Sequence, residues 1–254
     1  MAIAMGFIHQ QTTTARNIMN TIRALSKFAY RFPGNAKVID TTANYGQWRE
    51  LSPFVLPAPP ARNLENLWQY SKVYPNVQPN SHVDSEGNPN GYWYAWRLCG
   101  WNDTRAQRYP MGKGKIPLYS FWNGEKLDYI TARKKIYAPE YAKNVIMTEA
   151  YKKLGNLYCT GHDIILLDYD AYDHIALSMS LHDVINNSNR KMGHAFVLIM
   201  MLTGVLNECL DINNDCPGTL NCPEIDALGE YPFKDEVEFN LVVSSHCAKC
   251  EQGE

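Results

Sequence analysis

Residues 61–75 read ARNLENLWQYSKVYP. The spacing predicts a helix, with Asn63 placed as its N-cap and Pro75 as its stop. Leu64, Leu67, Trp68 and Ser71 recur at helical intervals and give the cylinder a side to bury. Glu65, Gln69 and Lys72 stand at i, i+4 and i+7 and share a second side. A carboxylate, an amide and an ammonium in one row supply groups for proton transfer, base recognition and phosphate contact. The same row also suits the solvated face of an amphipathic helix.

Upstream, Ser52-Pro53-Phe54 leads through a Pro-rich segment into this helix. Ala36 to Thr41 (AKVIDT) predicts a short strand. Thr12 to Thr14 are placed to cap a helix through Ile18, Ile22, Leu25 and Phe28, ended by Pro33-Gly34. Downstream, residues 75–91 are polar and rich in Asn, Pro and Gly, which predicts a surface insertion. Tyr109 to Lys115 (YPMGKGK) lacks the spacing of a Walker A loop. Its amides and lysines can approach a phosphate, but an ordinary surface turn is the simpler reading. Glu125 to Tyr137 reads as a helix that Pro139 breaks or restarts, with a further helical run to Leu154.

Asp163 to Tyr169 (DIILLDY) is the strongest strand, an apolar run that predicts burial on both faces. Its C-terminal end opens into Asp168, Asp170 and Asp173, and strand ends commonly present functional loops. Ser180 or Asp183 starts a short helix. Asn189-Arg190-Lys191-Met192-Gly193-His194 then leads into an apolar helix over Ala195 to Leu206. Gly193 permits close approach of a backbone or a phosphate, while His194 reads as a satisfied core histidine. Val237 to Val243 suggests an edge strand.

The composition bounds the function classes. With 254 residues, 45% hydrophobic and 20% charged, the chain suits a globular fold with a full core. A net charge of −2 argues against a strongly basic nucleic-acid binder and restricts any such contact to a local patch. Seven scattered cysteines argue for reduced thiols and a cytoplasmic setting, and no secretory leader or membrane span is expected. Cys247-Ala-Lys-Cys250, with Cys216 and Cys222, is too sparse to predict a zinc site, and His174 and His182 suit a Tyr-rich surface loop better than a metal centre. The expected architecture is α+β: one mainly helical domain with a small β-sheet over residues 1–210. Residues 211–254 follow as an extension with a Cys-rich tail.

Taken together, these regions resemble the NADAR superfamily of N-glycosidases. The likeness rests on Ser52-Pro53-Phe54, on Glu65, Gln69 and Lys72, on the acidic end Asp168 to Asp173, and on Asn189-Arg190 with Gly193. The order agrees from Val38 to Leu206. A closer likeness is to a family of bacterial and phage proteins that shares the Ser-Pro-Phe segment, a Trp-Gln-x-x-Lys helix, Ala132 to Tyr137 and Leu166 to Tyr169. Two departures stand out. Tyr172-Asp173-His174 replaces the usual Trp-Gly pair, and one extra residue separates Arg190 from Gly193.

The resemblance implies a NADAR-like fold and cleavage of a ribose–nitrogen bond in a nucleotide or ADP-ribose-type molecule, free or attached to nucleic acid. It implies Glu65 as acid–base group, Gln69 for base or ribose binding, and Lys72 and Arg190 for phosphate. Asp170 or Asp173 would be the second carboxylate, and Asn189 would position the sugar. Ser52, Phe54, Trp68, Asp168 and Gly193 complete the expected substrate site. No cofactor, metal or membrane partner is implied, and nothing fixes an oligomeric state. Two other classes stay open: a binding module that sequesters a nucleotide, and an interaction protein with an aromatic partner surface. The last predicts no closed polar pocket joining Glu65 to Asp170.

Overall fold

The strand expected over Asp163–Tyr169 is the centre of the fold. The computed structural model describes residues 20–32, 34–75 and 81–212. In chain order these form β1 (Ile22–Ser26), β2 (Lys37–Asp40), α1 (Leu64–Tyr70), β3 (Lys72–Val73), α2 (Gly91–Asn102), β4 (Tyr119–Trp122) and β5 (Glu125–Leu127). Next come α3 (Tyr129–Ala132), a π-helical segment (Arg133–Tyr137), α4 (Ala138–Val145), α5 (Glu149–Cys159) and β6 (Ile164–Asp168). The last are α6 (Leu181–Asn186), α7 (His194–Leu202) and α8 (Leu206–Cys209). The fold is α+β.

In place of one small sheet there are two. The first is parallel, in the order β1-β6-β2, with Ile22 and Lys37 both opposite Ile164. Its centre is apolar because neighbours flank β6 on both edges: Ile164, Ile165 and Leu166 are buried. The second is antiparallel, in the order β3-β4-β5. Asn123 and Gly124 close its hairpin with φ of 47° and 84°, as a tight two-residue turn requires.

Helix α7 lies against the parallel sheet and α4, and all nine of its residues are buried. A helix apolar on every side has no face for water, so it forms the core. Each fully buried Leu, Ile or Phe there contributes about 1.5–3 kcal/mol relative to exposure.

Several expected elements are corrected. Ile22–Ser26 is a strand, not part of a helix through Leu25 and Phe28. Burial of Ile22 and Ala24 alternates with partial exposure of Arg23, so a period of two prevails over the helical pattern. Glu125–Leu127 is a strand, and the helix begins only after Asp128, whose side chain accepts from the Ile130 and Thr131 amides. Of the two outcomes expected at Pro139, a break or a restart, the restart holds: it stands in the first turn of α4. It follows the wider π turn, where the Ala138 N–H donates to the Arg133 carbonyl five residues back. α1 ends at Tyr70, so Lys72 stands on β3. α7 ends at Leu202, and a turn through Gly204 (φ 75°) separates it from α8.

Ser180, one of the two residues expected to start this helix, caps α6, and a reciprocal pair with Asp183 completes the cap. Within residues 75–91, His82 is fully buried against the rings of Tyr74, Tyr92 and Trp96. Thr12 to Ile18, Val237 to Val243, Cys216, Cys222, Cys247 and Cys250 lie outside the described residues. Among the described residues no helix is long and apolar enough to cross a membrane.

Candidate functional site

The site begins at the cap of α1. The Asn63 side chain accepts from the Asn66 N–H at 2.9 Å, as its position predicts. The helix is then buried on every side rather than amphipathic. Glu65, at 7% exposure, and Gln69, at 8%, are therefore not a solvated stripe. They form a chain of bonds: Gln69 Nε2 donates to Glu65 Oε1 at 2.8 Å, and Lys72 Nζ donates to Gln69 Oε1 at 2.7 Å. An ionised carboxylate only accepts and an ammonium only donates, so the two fix which end of the amide points where. The Lys72 ammonium also lies 4.8 Å from the centre of the Trp68 ring.

These groups line a cavity of about 600 Å³. Ser52, Pro53 and Phe54 form part of its wall, and the Pro53 carbonyl accepts from the Glu65 N–H at 3.0 Å. Gly193 and His194, at the start of α7, line the cavity too, with Asp168 and Asp170 at the carboxyl edge of the parallel sheet. That edge is where open parallel sheets commonly bind ligands. The cavity joins Glu65 to Asp170, contrary to what an interaction protein with an aromatic surface predicts.

Asp168 is buried and wholly engaged. Its Oδ2 accepts from the Ala195 N–H at 3.1 Å and lies 3.1 Å from His194 Nδ1. His194 Nε2 faces the Thr41 carbonyl at 2.9 Å. Both imidazole nitrogens therefore meet acceptors, which calls for the doubly protonated ring. Burial alone would lower the histidine's pKa. The Asp168 charge and hydrogen bond, with the Thr41 carbonyl, outweigh it and raise the value. Burial likewise works to raise the Asp168 carboxyl, but the imidazolium and the Ala195 amide hold it below its usual range.

Glu65 behaves differently. Burial raises its pKa above the ordinary glutamate value, with Gln69, Lys72 and Arg108 opposing. Burial lowers Lys72 to about 8, against the pull of Glu65. A carboxyl with a raised pKa thus sits one amide away from an amine lowered to about 8, and shifted groups of this kind are common at functional sites.

No family model matches the chain. No curated protein and no solved structure matches it either.

The geometry sorts the expected site residues. Ser52, Phe54, Glu65, Trp68, Gln69, Lys72, Asp168, Asp170 and Gly193 all line the cavity. Asp173, Asn189 and Arg190 do not. Asp173 is tied to Arg23 at 3.1 Å and accepts from the Ala176 N–H. The Arg190 guanidinium lies over the Tyr172 ring at 5.0 Å, and Ser188 and Lys191 face the cavity in its place.

Arg108 and Asn66 carry no signal in the sequence reading, and Arg133 enters it within the Ala132 to Tyr137 segment of the likeness. Arg108 bonds Asp170 at 2.8 Å with its guanidinium 5.0 Å from the Tyr169 ring centre. Asn66 sets the preceding segment: its amide donates to the Asp103 and Arg105 carbonyls, and its oxygen accepts from the Gln107 N–H. Arg133, on the π-helical segment, also lines the cavity. Of the Tyr109–Lys115 loop, expected most simply as a surface turn, Tyr109, Gly112, Gly114 and Lys115 line it too.

Proposed function

We propose that this protein is an N-glycosidase-type hydrolase that cleaves a ribose–base bond in a nucleotide or ADP-ribose-linked substrate. The single observation that carries the reading is the Glu65–Gln69–Lys72 bond chain, buried at the wall of a ligand-sized cavity with cations facing it. The likeness to the NADAR superfamily supplies the reaction, and a NADAR-like fold is part of this proposal.

In the reaction, a water oxygen bonds to the ribose anomeric carbon as the carbon–nitrogen bond breaks. Glu65 in its ionised form accepts the water proton, which its raised pKa favours, and then gives that proton to the departing nitrogen. The products are a sugar with a free anomeric hydroxyl and a free base. Gln69, held in one orientation, presents its remaining N–H to the ribose or base. Lys72 contacts phosphate, and Lys191 takes the cationic role that the resemblance assigned to Arg190.

The test is incubation with NAD, ADP-ribose and ribosyl phosphates, followed by mass spectrometry for free base. Every substrate returned intact defeats the reading. A second reading is a non-catalytic module that sequesters the nucleotide. It draws on the pairing of Asp170 with Arg108 and of Asp173 with Arg23, which leaves Glu65 as the one of the three expected catalytic carboxylates without an arginine partner. Binding with no released base is its signature.

A further inference from the structure

Arg133 is 1% exposed and lines the cavity. Its Nη1 donates to the carbonyls of Ile185 (3.3 Å) and Asn187 (2.7 Å), and its Nη2 donates to the carbonyl of Arg190. Its guanidinium lies 4.2 Å from the centre of the Tyr129 ring, and its Nε is buried with no hydrogen-bond partner. Among the described residues no carboxylate forms an ion pair with it. Burying a guanidinium without a counter-charge is costly, and carbonyl dipoles offset only part of that cost.

The charges around the cavity carry the argument further. Asp170 is taken by Arg108 and Asp168 by His194. Lys72, Lys115, Arg133 and Lys191 then face Glu65 alone, in a protein whose net charge is −2. Lys72 and Lys191 both line the cavity, and the Lys191 charge disfavours the charge on Lys72.

We propose that Arg133 is the positioning residue of an anion subsite for a phosphate group, holding residues 185–190 by their carbonyls so that Ser188 and Lys191 face the ligand. The inference rests on the reading that this cavity is the ligand site, but not on the cleavage. The phosphate supplies the counter-charge that Arg133 lacks. Arg133 opens the π-helical segment, and such segments recur at functional sites.

The probe is inorganic pyrophosphate, titrated calorimetrically into the full chain at low salt. Wild type binds. Arg133→Lys keeps the charge but loses the fork, and weakens binding by about tenfold or more. Lys191→Ala, at an exposed position, also weakens it while leaving the melting temperature in place. Hydrogen exchange on wild type reads the loop directly: pyrophosphate slows the amides of residues 185–191. Absent binding by wild type, unchanged affinity in a folded Arg133→Lys, or no slowing in that loop each overturns the proposal. If Arg133→Lys does not fold, the exchange result on wild type decides. Pyrophosphate has no glycosidic bond, so binding without any base release elsewhere removes the reaction and leaves the subsite.

Discussion

The Asp168 carboxylate fills the space where a side chain on Gly193 would sit, and it caps α7 in that residue's stead. A Cβ on residue 193 would run into Asp168 Oδ2. Gly193 has no side chain with which to cap the helix, and the Ala195 N–H is satisfied from β6 instead. A carboxylate at a helix N-terminus is also favoured by the helix dipole.

Gly193→Ala is therefore expected to destabilise the protein by about 1–3 kcal/mol through overpacking. Backbone strain is not the cause, because φ at this position is −92°. Urea unfolding checks the loss. A variant as stable as wild type would mean that Asp168 moves aside at no cost.

The Asp168–His194 pair predicts a stability window in pH. His194 has a folded pKa above its ordinary 6.5, so its contribution is full below pH 6.5 and is lost as pH rises through the folded value. Asp168 lies below its ordinary 3.8, so its contribution is full above pH 3.8 and is lost as pH falls through the folded value. The pair thus stabilises most between pH 3.8 and 6.5. Asp168→Asn breaks a buried pair and should cost about 3–5 kcal/mol. It should also flatten the decline above pH 6.5. An unchanged slope in that variant would sink the assignment of the imidazolium.

Glu65→Gln should lower base release by about 10²–10⁴-fold while the fold persists. The replacement removes a buried charge and keeps a group of the same shape, so thermal unfolding should shift little or upward. Unaltered turnover removes Glu65 from the mechanism.

The pH profile of cleavage gives a separate check. Ionised Glu65 is needed to accept the proton, so the acid limb should lie above the ordinary 4.5. Charged Lys72 is needed at the phosphate, so an alkaline limb should fall at about 8. Lys72→Arg should move that limb upward, since a guanidinium stays charged there. An alkaline limb that stays put assigns it to another group.

A turn outside the cavity lining offers a contrast. Gly124 adopts φ 84° in the β4–β5 hairpin, so Gly124→Ala should cost about 1–2 kcal/mol. Ligand binding per folded molecule should be unchanged, because neither Asn123 nor Gly124 lines the cavity. Weakened pyrophosphate binding in the folded variant would show that the hairpin shapes the site.

The legible parts of the sequence were those governed by near neighbours. Asn63 as a cap, the helix start at Ser180, and the apolar run of β6 each follow from a few adjacent residues. The Asn123-Gly124 pair carried an equally local hairpin signal that the helical reading of Glu125 to Tyr137 passed over. Ile22 and Leu25 suggested a helical period, but β1 forms because β6 provides it with a partner edge, and a partner 142 residues away leaves no local mark.

By itself, the sequence determined the α1 stripe, the buried central strand and the apolar run of α7 from Ala195, because side-chain spacing and burial tendency are properties of the segment. Tertiary structure alone decided that the stripe is buried and that Arg108, Arg133 and Lys191 face the cavity while Asp173 and Arg190 do not. Those outcomes depend on Asn66 pinning one loop and on Arg133 holding another by its carbonyls. Backbone carbonyls and amides are the same at every residue, so no pattern of side chains announces which of them a distant arginine or asparagine will choose.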